Sequence, residues 1–236
     1  MLDQQRRGKS KLAIELAKKI NGEIISADSM QIYKEMNIGT AKVTKEEMQG
    51  IKHYMLDIVN PDERYSVSAY KKRAEECIEK IIQNGKIPII CGGTGLYINS
   101  IIYGIEFEQE EIDEDYRNKL NEIAQKQGLE ELYKMALKID PQAMEKISKN
   151  DKKRIIRVIE IYNKTGKTKT EQDIESRKKG VKYNFKIFAI NMNRQILYDR
   201  INKRVDDMLQ NGLIQEVETM SKKYNQFPTA MQGLRI

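Results

Sequence analysis

The chain has 236 residues, of which 39% are hydrophobic and 33% charged, and its formal net charge is +7. This length can bury a sizeable core and suits one α/β domain with an insertion, or two small domains. Two cysteines and one histidine, without metal-ligand spacing, argue against a disulfide framework and a zinc site. No apolar run approaches the ~20 residues of a membrane-spanning helix. We therefore expect a cytoplasmic protein that does not enter a membrane.

The first motif is Gly8-Lys9-Ser10, which opens a helical segment that continues through residues 11–20. In a P-loop, GxxxxGK[ST], the amides cradle phosphate, the lysine neutralises charge and the hydroxyl holds Mg²⁺. Five residues before Gly8 the chain has Asp3 instead of glycine, and a carboxylate there would repel phosphate. The tripeptide alone is weak evidence, since a second copy, residues 166–168, closes a helical segment and is interpreted as a C-cap. We predict a phosphate site with an incomplete loop, with coincidence as the alternative.

Strand and helix patterns alternate along most of the chain. We predict strands at 23–27, 54–59, 86–91 and 184–191, and helices at 66–84, 96–103 and 194–209. Between 106 and about 181 the strand pattern vanishes and helical periodicity replaces it. The sequence therefore predicts an α/β fold with a P-loop NTPase-like, doubly wound parallel sheet. Residues 1–105 and 183–236 form this core, and residues 106–182 form a helical insertion domain.

Two polar turns follow predicted strands. Asp28 comes directly after the strand at 23–27, and the turn Gly92–Gly95, which contains Thr94, follows the strand at 86–91. Ligands of open α/β sheets bind beyond the carboxyl ends of the strands, so both turns would face the phosphate loop. The alternatives are a capping or turn aspartate and a plain tight turn. Ile98 breaks the dinucleotide fingerprint, which argues against NAD binding.

Residues 146–182 carry thirteen Lys or Arg and five Asp or Glu. A helix beginning after Asp151 would bury a stripe of apolar side chains and leave basic ones on its outer face. The stripe consists of Ile155, Val158, Ile159 and Tyr162, and the outer face carries Lys153, Arg154 and Arg157. Such a face is typical of phosphate contacts with a nucleic acid. The alternative is a solvated lysine-rich helix.

Taken together, these motifs resemble the tRNA dimethylallyltransferases, also called tRNA isopentenyltransferases. The resemblance runs in order from about Gly8 to Gly233 and includes, besides Gly8-Lys9-Ser10, the segments ISADSMQIY (25–33), MNIGTAK (36–42), HYMLD (53–57), ICGGTGLY (90–97), residues 150–151, residues 165–168 and residues 200–204.

The resemblance implies transfer of a dimethylallyl group from dimethylallyl diphosphate to the exocyclic amine of the adenine 3′ of the anticodon. Asp28 matches the family's general base, and Arg204 matches a basic residue that stabilises the departing diphosphate. Gly8, Lys9 and Ser10 would bind the diphosphate, with Mg²⁺ held by Ser10. The family's tRNA contacts match Asp28, Ser29, Met30, Gln31, Thr94, Arg117, Lys153, Arg154 and Arg157. We expect a monomer that binds the anticodon stem-loop of tRNA.

The chain departs from the family pattern at residues 3–7 and after Leu234. We hypothesise a shortened or misread gene product, impaired by its incomplete loop and lacking the first core strand and the C-terminal tail. Two alternatives belong to other classes. A P-loop small-molecule kinase would bind and consume ATP without tRNA, and an inactive tRNA-binding fragment would bind tRNA without releasing diphosphate.

Overall fold

The computed structural model describes residues 8–107, 113–178, 180–191, 193–227 and 229–230. In chain order its elements are α1 (Gly8–Ile20), β1 (Gly22–Ala27), α2 (Lys45–Met48), β2 (His53–Tyr54), α3 (Val67–Gln83), β3 (Ile87–Gly92), α4 (Gly95–Ile102), α5 (Glu114–Gln127), α6 (Leu129–Ile139), α7 (Pro141–Met144), α8 (Lys152–Thr165), α9 (Lys169–Glu175), α10 (Arg194–Gln210) and α11 (Leu213–Lys223). Among the described residues, no helix is long and apolar enough to cross a lipid bilayer.

The described residues divide into two compact units. Those within Met1–Ile102 and Tyr183–Ile236 form the first, here called the core unit, and Tyr103–Lys182 form the second, the helical unit. The predicted ranges are 1–105 with 183–236 for the core and 106–182 for the insertion. The tRNA-binding role of the insertion stays a prediction.

The core unit is built on a parallel sheet in which β1 lies between β2 and β3. Successive side chains of a strand point to opposite faces, so Ile24 and Ile25 of β1 pack against different helices. Ile24 packs with Ala13, Ile14 and Ala17 of α1 on one face. Ile25 lies in the cluster that α3 and α4 form on the other face. Helices on both faces of a parallel sheet confirm the predicted doubly wound, P-loop NTPase-like α/β class.

Helix α3 shows how local signals set these elements. Its N-cap is Ser66, the first residue of the predicted helix, whose hydroxyl accepts a hydrogen bond of 3.1 Å from the Ala69 amide. The buried side chains recur at helical spacing and face the sheet: Tyr70, Ala74, Ile78 and Ile81. The helix ends before Gly85, which has a φ of +69° that glycine adopts without strain.

Two of the predicted strands differ from the structure: the strand at 54–59 is shorter than predicted, and the segment 184–191 is not a strand. The strand at 54–59 ends after Tyr54, because Met55 and Asp57 adopt φ values of +64° and +53°, outside the β region. Val59 regains pairing only through a single bridge to Tyr33. The segment 184–191 is not a strand: no described strand pairs with its backbone, and Phe188 is 77% exposed. An extended segment without a hydrogen-bonded neighbour cannot join a sheet.

In the helical unit, α5, α6 and α8 pack around a core that includes Leu120, Leu132, Ile155 and Ile159. The predicted apolar stripe of α8 is confirmed at Ile155, Val158 and Ile159 but wrong at Tyr162, which is exposed. Ile161 is buried instead, close to the end of the helix. Gly166 caps α8 in the left-handed conformation, with φ of +69°, and its amide donates to the Tyr162 carbonyl at 2.8 Å. The interpretation of this second GK[ST] as a C-cap is therefore confirmed.

Asp140 joins two short helices of the helical unit. Its buried carboxylate accepts hydrogen bonds from the Ala143 amide at 2.9 Å and from the amide and hydroxyl of Thr170, both at 2.8 Å. Burial alone would raise the pKa of this carboxyl, but the hydrogen bonds outweigh it and hold the pKa below its ordinary value of 3.8. The charged form therefore stabilises the start of α7 and of α9.

Candidate active site

Asp28 occupies the first position after β1, at the carboxyl end of the central strand. Its Oδ1 atom accepts hydrogen bonds from the amides of Met30 at 2.9 Å and Gln31 at 3.3 Å. The turn interpretation of Asp28 is therefore confirmed, and it is compatible with catalysis. Within the described part of the chain, Oδ2 has no hydrogen-bond partner. One carboxylate oxygen is fixed by the backbone, and the other can accept a proton.

The turn after β3 lies directly beside Asp28. Gly92 pairs with Ala27 across the sheet, and a Cβ built on Gly92 would overlap the Ala27 carbonyl, so only glycine fits. The Thr94 amide donates to that same carbonyl at 3.0 Å. The Thr94 hydroxyl accepts from the Ser29 amide at 2.9 Å and lies 3.2 Å from the Ser29 hydroxyl. Two predicted tRNA contacts, Ser29 and Thr94, thus lie together at the end of β1 and β3.

Lys9 extends from the first turn of α1 to the same end of the sheet. The Lys9 ammonium donates to the Gly92 carbonyl at 3.5 Å. A Cβ built on Gly93 would lie 3.2 Å from the Lys9 Nζ atom. The first turn of α1 contains no acidic side chain, so its free amides and positive dipole end are not offset there. Lys9 and Ser10 are therefore placed at an edge suited to an anion.

Arg200 belongs to the matched segment 200–204, but the sequence did not predict a role for it in the site. Its guanidinium Nη1 lies 3.7 Å from a Cβ built on Gly8, beside the first turn of α1. The predicted Arg204 lies one helical turn further along α10, is exposed, and stays a prediction. Arg200 and Arg204 are four residues apart, and this spacing predicts that they share one face of the helix. The spacing does not indicate which of the two lies near the first turn of α1.

The side chain of Gln31, which is half-buried, is held by hydrogen bonds within the core unit. Its Nε2 donates to the carbonyls of Thr40 at 3.1 Å and Ala41 at 3.3 Å, and its Oε1 accepts from the Ser26 hydroxyl at 3.4 Å. Met30 is half-buried and packs against the cluster around Ile32. The predicted tRNA contacts of Gln31 and Met30 stay predictions.

In the helical unit, Arg117 forms a paired contact. Its Nε and Nη2 atoms donate to the two carboxylate oxygens of Glu160 at 2.6 and 2.8 Å, which raises the pKa of the guanidinium. Arg157 approaches the same carboxylate at 3.9 Å. Lys153 and Arg154 are exposed on α8, and the Arg154 guanidinium lies 3.3 Å from Asp151. The outward placement predicted for Lys153 and Arg154 is thus observed.

Part of the predicted site lies outside the described residues. This holds for Asp3 and the rest of residues 1–7, and for residues 231–236.

Comparison with known proteins gives consistent matches. The family model for IPP transferase matches residues 31–236. The tRNA dimethylallyltransferase of Acetivibrio thermocellus is 53% identical over 228 residues, which are 96% of this chain and 73% of the relative. The structure of the tRNA isopentenylpyrophosphate transferase of Bacillus halodurans has a TM-score of 0.64 at 38% identity, covering 97% of this chain and 70% of that one. A eukaryotic dimethylallyltransferase acting on tRNA has a TM-score of 0.75 at 34% identity, covering 93% of this chain and 55% of that one.

The resemblance inferred from the motifs is thereby confirmed over most of the chain. The relatives are transferases that are named for tRNA, and none of them supports the small-molecule kinase or the inactive binding fragment. The chain belongs to the IPP transferase family of tRNA dimethylallyltransferases.

Proposed function

We propose that the protein transfers a dimethylallyl group from dimethylallyl diphosphate to the exocyclic amine of the adenine 3′ of the anticodon in tRNA. The observation that carries the proposal is the carboxylate of Asp28, held by two backbone amides at the same end of the sheet as the Lys9 ammonium. One group can accept a proton while the other stabilises a departing anion. Family membership supports the same assignment.

The proposed reaction is a substitution at the allylic carbon. The amine nitrogen forms a bond to that carbon, the carbon–oxygen bond breaks, and its electron pair leaves with the diphosphate. The proton released by the nitrogen passes to Oδ2 of Asp28, which acts as the general base. A base positioned in this way contributes roughly 10²- to 10⁴-fold to the rate.

Positive groups stabilise the negative charge that develops on the diphosphate. We assign this role to the Lys9 ammonium, the amides of the first turn of α1 and the guanidinium of Arg200, with Arg204 as a further contributor. Interactions that strengthen as the bond breaks lower the barrier.

The proposal includes Mg²⁺ held by the Ser10 hydroxyl. Among the described residues, no group of three or more His, Cys, Asp or Glu side chains could hold a metal ion. The Ser10 hydroxyl, in the first turn of α1, is an oxygen ligand of the kind that Mg²⁺ takes. When bound, the ion would neutralise charge on the diphosphate.

The tRNA is proposed to bind in two ways. The adenine leaves its stack to reach Asp28, and Ser29, Met30, Gln31 and Thr94 line the approach. In the helical unit, Lys153, Arg154, Arg157 and Arg117 contact phosphates, which position the RNA without reading its sequence. We propose that the protein does this as a cytoplasmic monomer.

Substrate dependence tests the proposal against its alternatives. The protein is incubated with dimethylallyl diphosphate, ATP, or both, with and without an unmodified anticodon stem-loop, and released diphosphate and ADP are measured. We expect diphosphate release that needs both the allylic donor and the RNA and does not need ATP. ADP formation without RNA would identify a kinase, and RNA binding without any diphosphate release would identify an inactive binding protein.

A further inference from the structure

We propose that Glu216 of α11 is a positioning residue for Asp28, acting through the loop of residues 36–42. The inference rests on the proposed function, because it assigns a second role within the same site. Glu216 lies 188 positions after Asp28 in the sequence, and three sets of hydrogen bonds connect the two.

The first set joins Glu216 to the loop. Its Oε2 accepts hydrogen bonds from the amides of Asn37 and Ile38, both at 2.8 Å, and its Oε1 accepts one from the Gly39 amide at 2.9 Å. Three consecutive amides that converge on one anion form a nest. Hydrogen bonds to a charged acceptor are about twice as strong as neutral ones, so this carboxylate fixes the loop firmly.

The second and third sets lead from the loop to Asp28. The carbonyls of Thr40 and Ala41 accept hydrogen bonds from the Gln31 side chain, at 3.1 and 3.3 Å. The Gln31 amide in turn donates to Oδ1 of Asp28 at 3.3 Å. The backbone amide of Gln31 therefore helps to orient the Asp28 carboxylate, and the side chain of the same Gln31 is held by the loop of residues 36–42 that Glu216 binds.

The loop needs such support because parts of its backbone are strained. Ala41 within the loop and Glu35 directly before it adopt φ values of +47° and +65°, which residues with a side chain adopt only when their surroundings enforce them. The loop is also held independently of Glu216, since the buried ammonium of Lys42 donates to the Tyr33 carbonyl and to Asp57, both at 2.6 Å. Loss of the Glu216 charge is therefore expected to loosen the loop without unfolding the protein.

Hydrogen exchange tests this connection without reference to activity. Glu216→Gln keeps the side-chain shape but places an NH₂ group against a backbone N–H, so the nest cannot be satisfied. Glu218→Gln makes the same charge change at an exposed position of the same helix. We expect Glu216→Gln, but not Glu218→Gln, to speed hydrogen exchange at the amides of residues 37–39 and also at those of Met30 and Gln31. Faster exchange confined to residues 37–39 would overturn the inference, as would no change at either place.

A double-mutant cycle tests whether the connection acts through Asp28. We expect Glu216→Gln to lower kcat by about 10- to 100-fold, as misplacement of a catalytic group does, with the KM for dimethylallyl diphosphate changed by less than about twofold. When Asp28→Asn is already present, Glu216→Gln should have no further effect on kcat. An equal loss of kcat in both backgrounds would overturn the inference. Absence of any transfer by the unchanged protein would instead refute the proposed function, while hydrogen exchange would still decide the role of Glu216.

Discussion

The guanidinium of Arg117 on α5 and the carboxylate of Glu160 on α8 form a bidentate pair, with N–O distances of 2.6 and 2.8 Å. The Glu160 side chain is 11% exposed, so its charge depends on this partner. Arg117 therefore has a structural task in the helical unit in addition to the tRNA contact predicted for it. Arginine suits both tasks, because its planar fork can serve a carboxylate on one edge and a phosphate on another.

Replacing Arg117 with alanine should destabilise the protein. Among the described residues, the change leaves the largely buried carboxylate of Glu160 with the more distant Arg157 as its ion-pair partner, at a cost of about 1–3 kcal/mol. Lys126→Ala removes the exposed partner of Glu122 and should cost less than about 1 kcal/mol. Urea unfolding of both variants measures the difference, and equal midpoints would show that the bidentate pair carries no stability.

The exposed basic side chains of α8 should set the salt dependence of tRNA binding. Changing Lys153 and Arg154 to alanine would remove two of the proposed phosphate contacts, so the slope of log affinity against log salt should fall by about 1–2. Lys126 and Lys134, exposed on other helices of the same unit, provide a control pair with the same loss of charge. Fluorescence anisotropy at several salt concentrations measures the slopes. The same slope for both double variants would refute a specific role for α8.

Two of the three glycines at residues 92–95, Gly92 and Gly95, should differ sharply in how well they tolerate alanine. Gly92→Ala places a methyl group against the Ala27 carbonyl, and overpacking of this kind costs about 1–3 kcal/mol or more. Gly95→Ala meets no atom within 4 Å and lies in α4, where alanine is favourable. Thermal unfolding should show a lower midpoint for Gly92→Ala and an unchanged or higher one for Gly95→Ala. A tolerated Gly92→Ala would mean that the turn does not approach β1 as described.

Asp140 should make stability depend on pH. Its pKa in the folded protein is held below 3.8, so its contribution is present above about pH 4 and is lost as the pH falls through the folded pKa. At pH 7, Asp140→Asn should lower the free energy of unfolding by about 1–3 kcal/mol. The difference in the free energy of unfolding between the variant and the unchanged protein should become smaller below about pH 4. Asp173→Asn, at an exposed site, is the control. A gap that stays constant from pH 7 to pH 3 would contradict the assigned role.

Local signals predicted much of the core unit. The apolar runs of β1 and β3, the Ser66 cap of α3 and the start of α1 at Gly8 were visible because each depends on residues that are close in sequence. The early end of β2 was not visible, since the positive φ values of Met55 and Asp57 arise at residues that usually avoid them.

The site was predicted in its parts but not in its connections. Asp28 follows β1 directly and Thr94 lies two residues after β3, so their placement at one edge follows from the topology of a parallel sheet. The contacts of Glu160 with Arg117 and of Glu216 with the loop at 37–39 join segments 43 and 177–179 residues apart. No periodicity or motif within either segment indicates its partner. Arg200 was missed for a related reason, because helical spacing places two arginines on one face without selecting between them.

Transfer of labelled dimethylallyl from its diphosphate to an unmodified anticodon stem-loop tests the proposed function most directly. The matched variants are Asp28→Asn, which can still accept the Met30 and Gln31 hydrogen bonds, and Asp62→Asn at an exposed position. We predict label on the adenine 3′ of the anticodon with the unchanged protein and with Asp62→Asn, and a rate lower by about 10²- to 10⁴-fold with Asp28→Asn. Transfer by Asp28→Asn at the unchanged rate, or no label on the RNA with any of the three proteins, would contradict it.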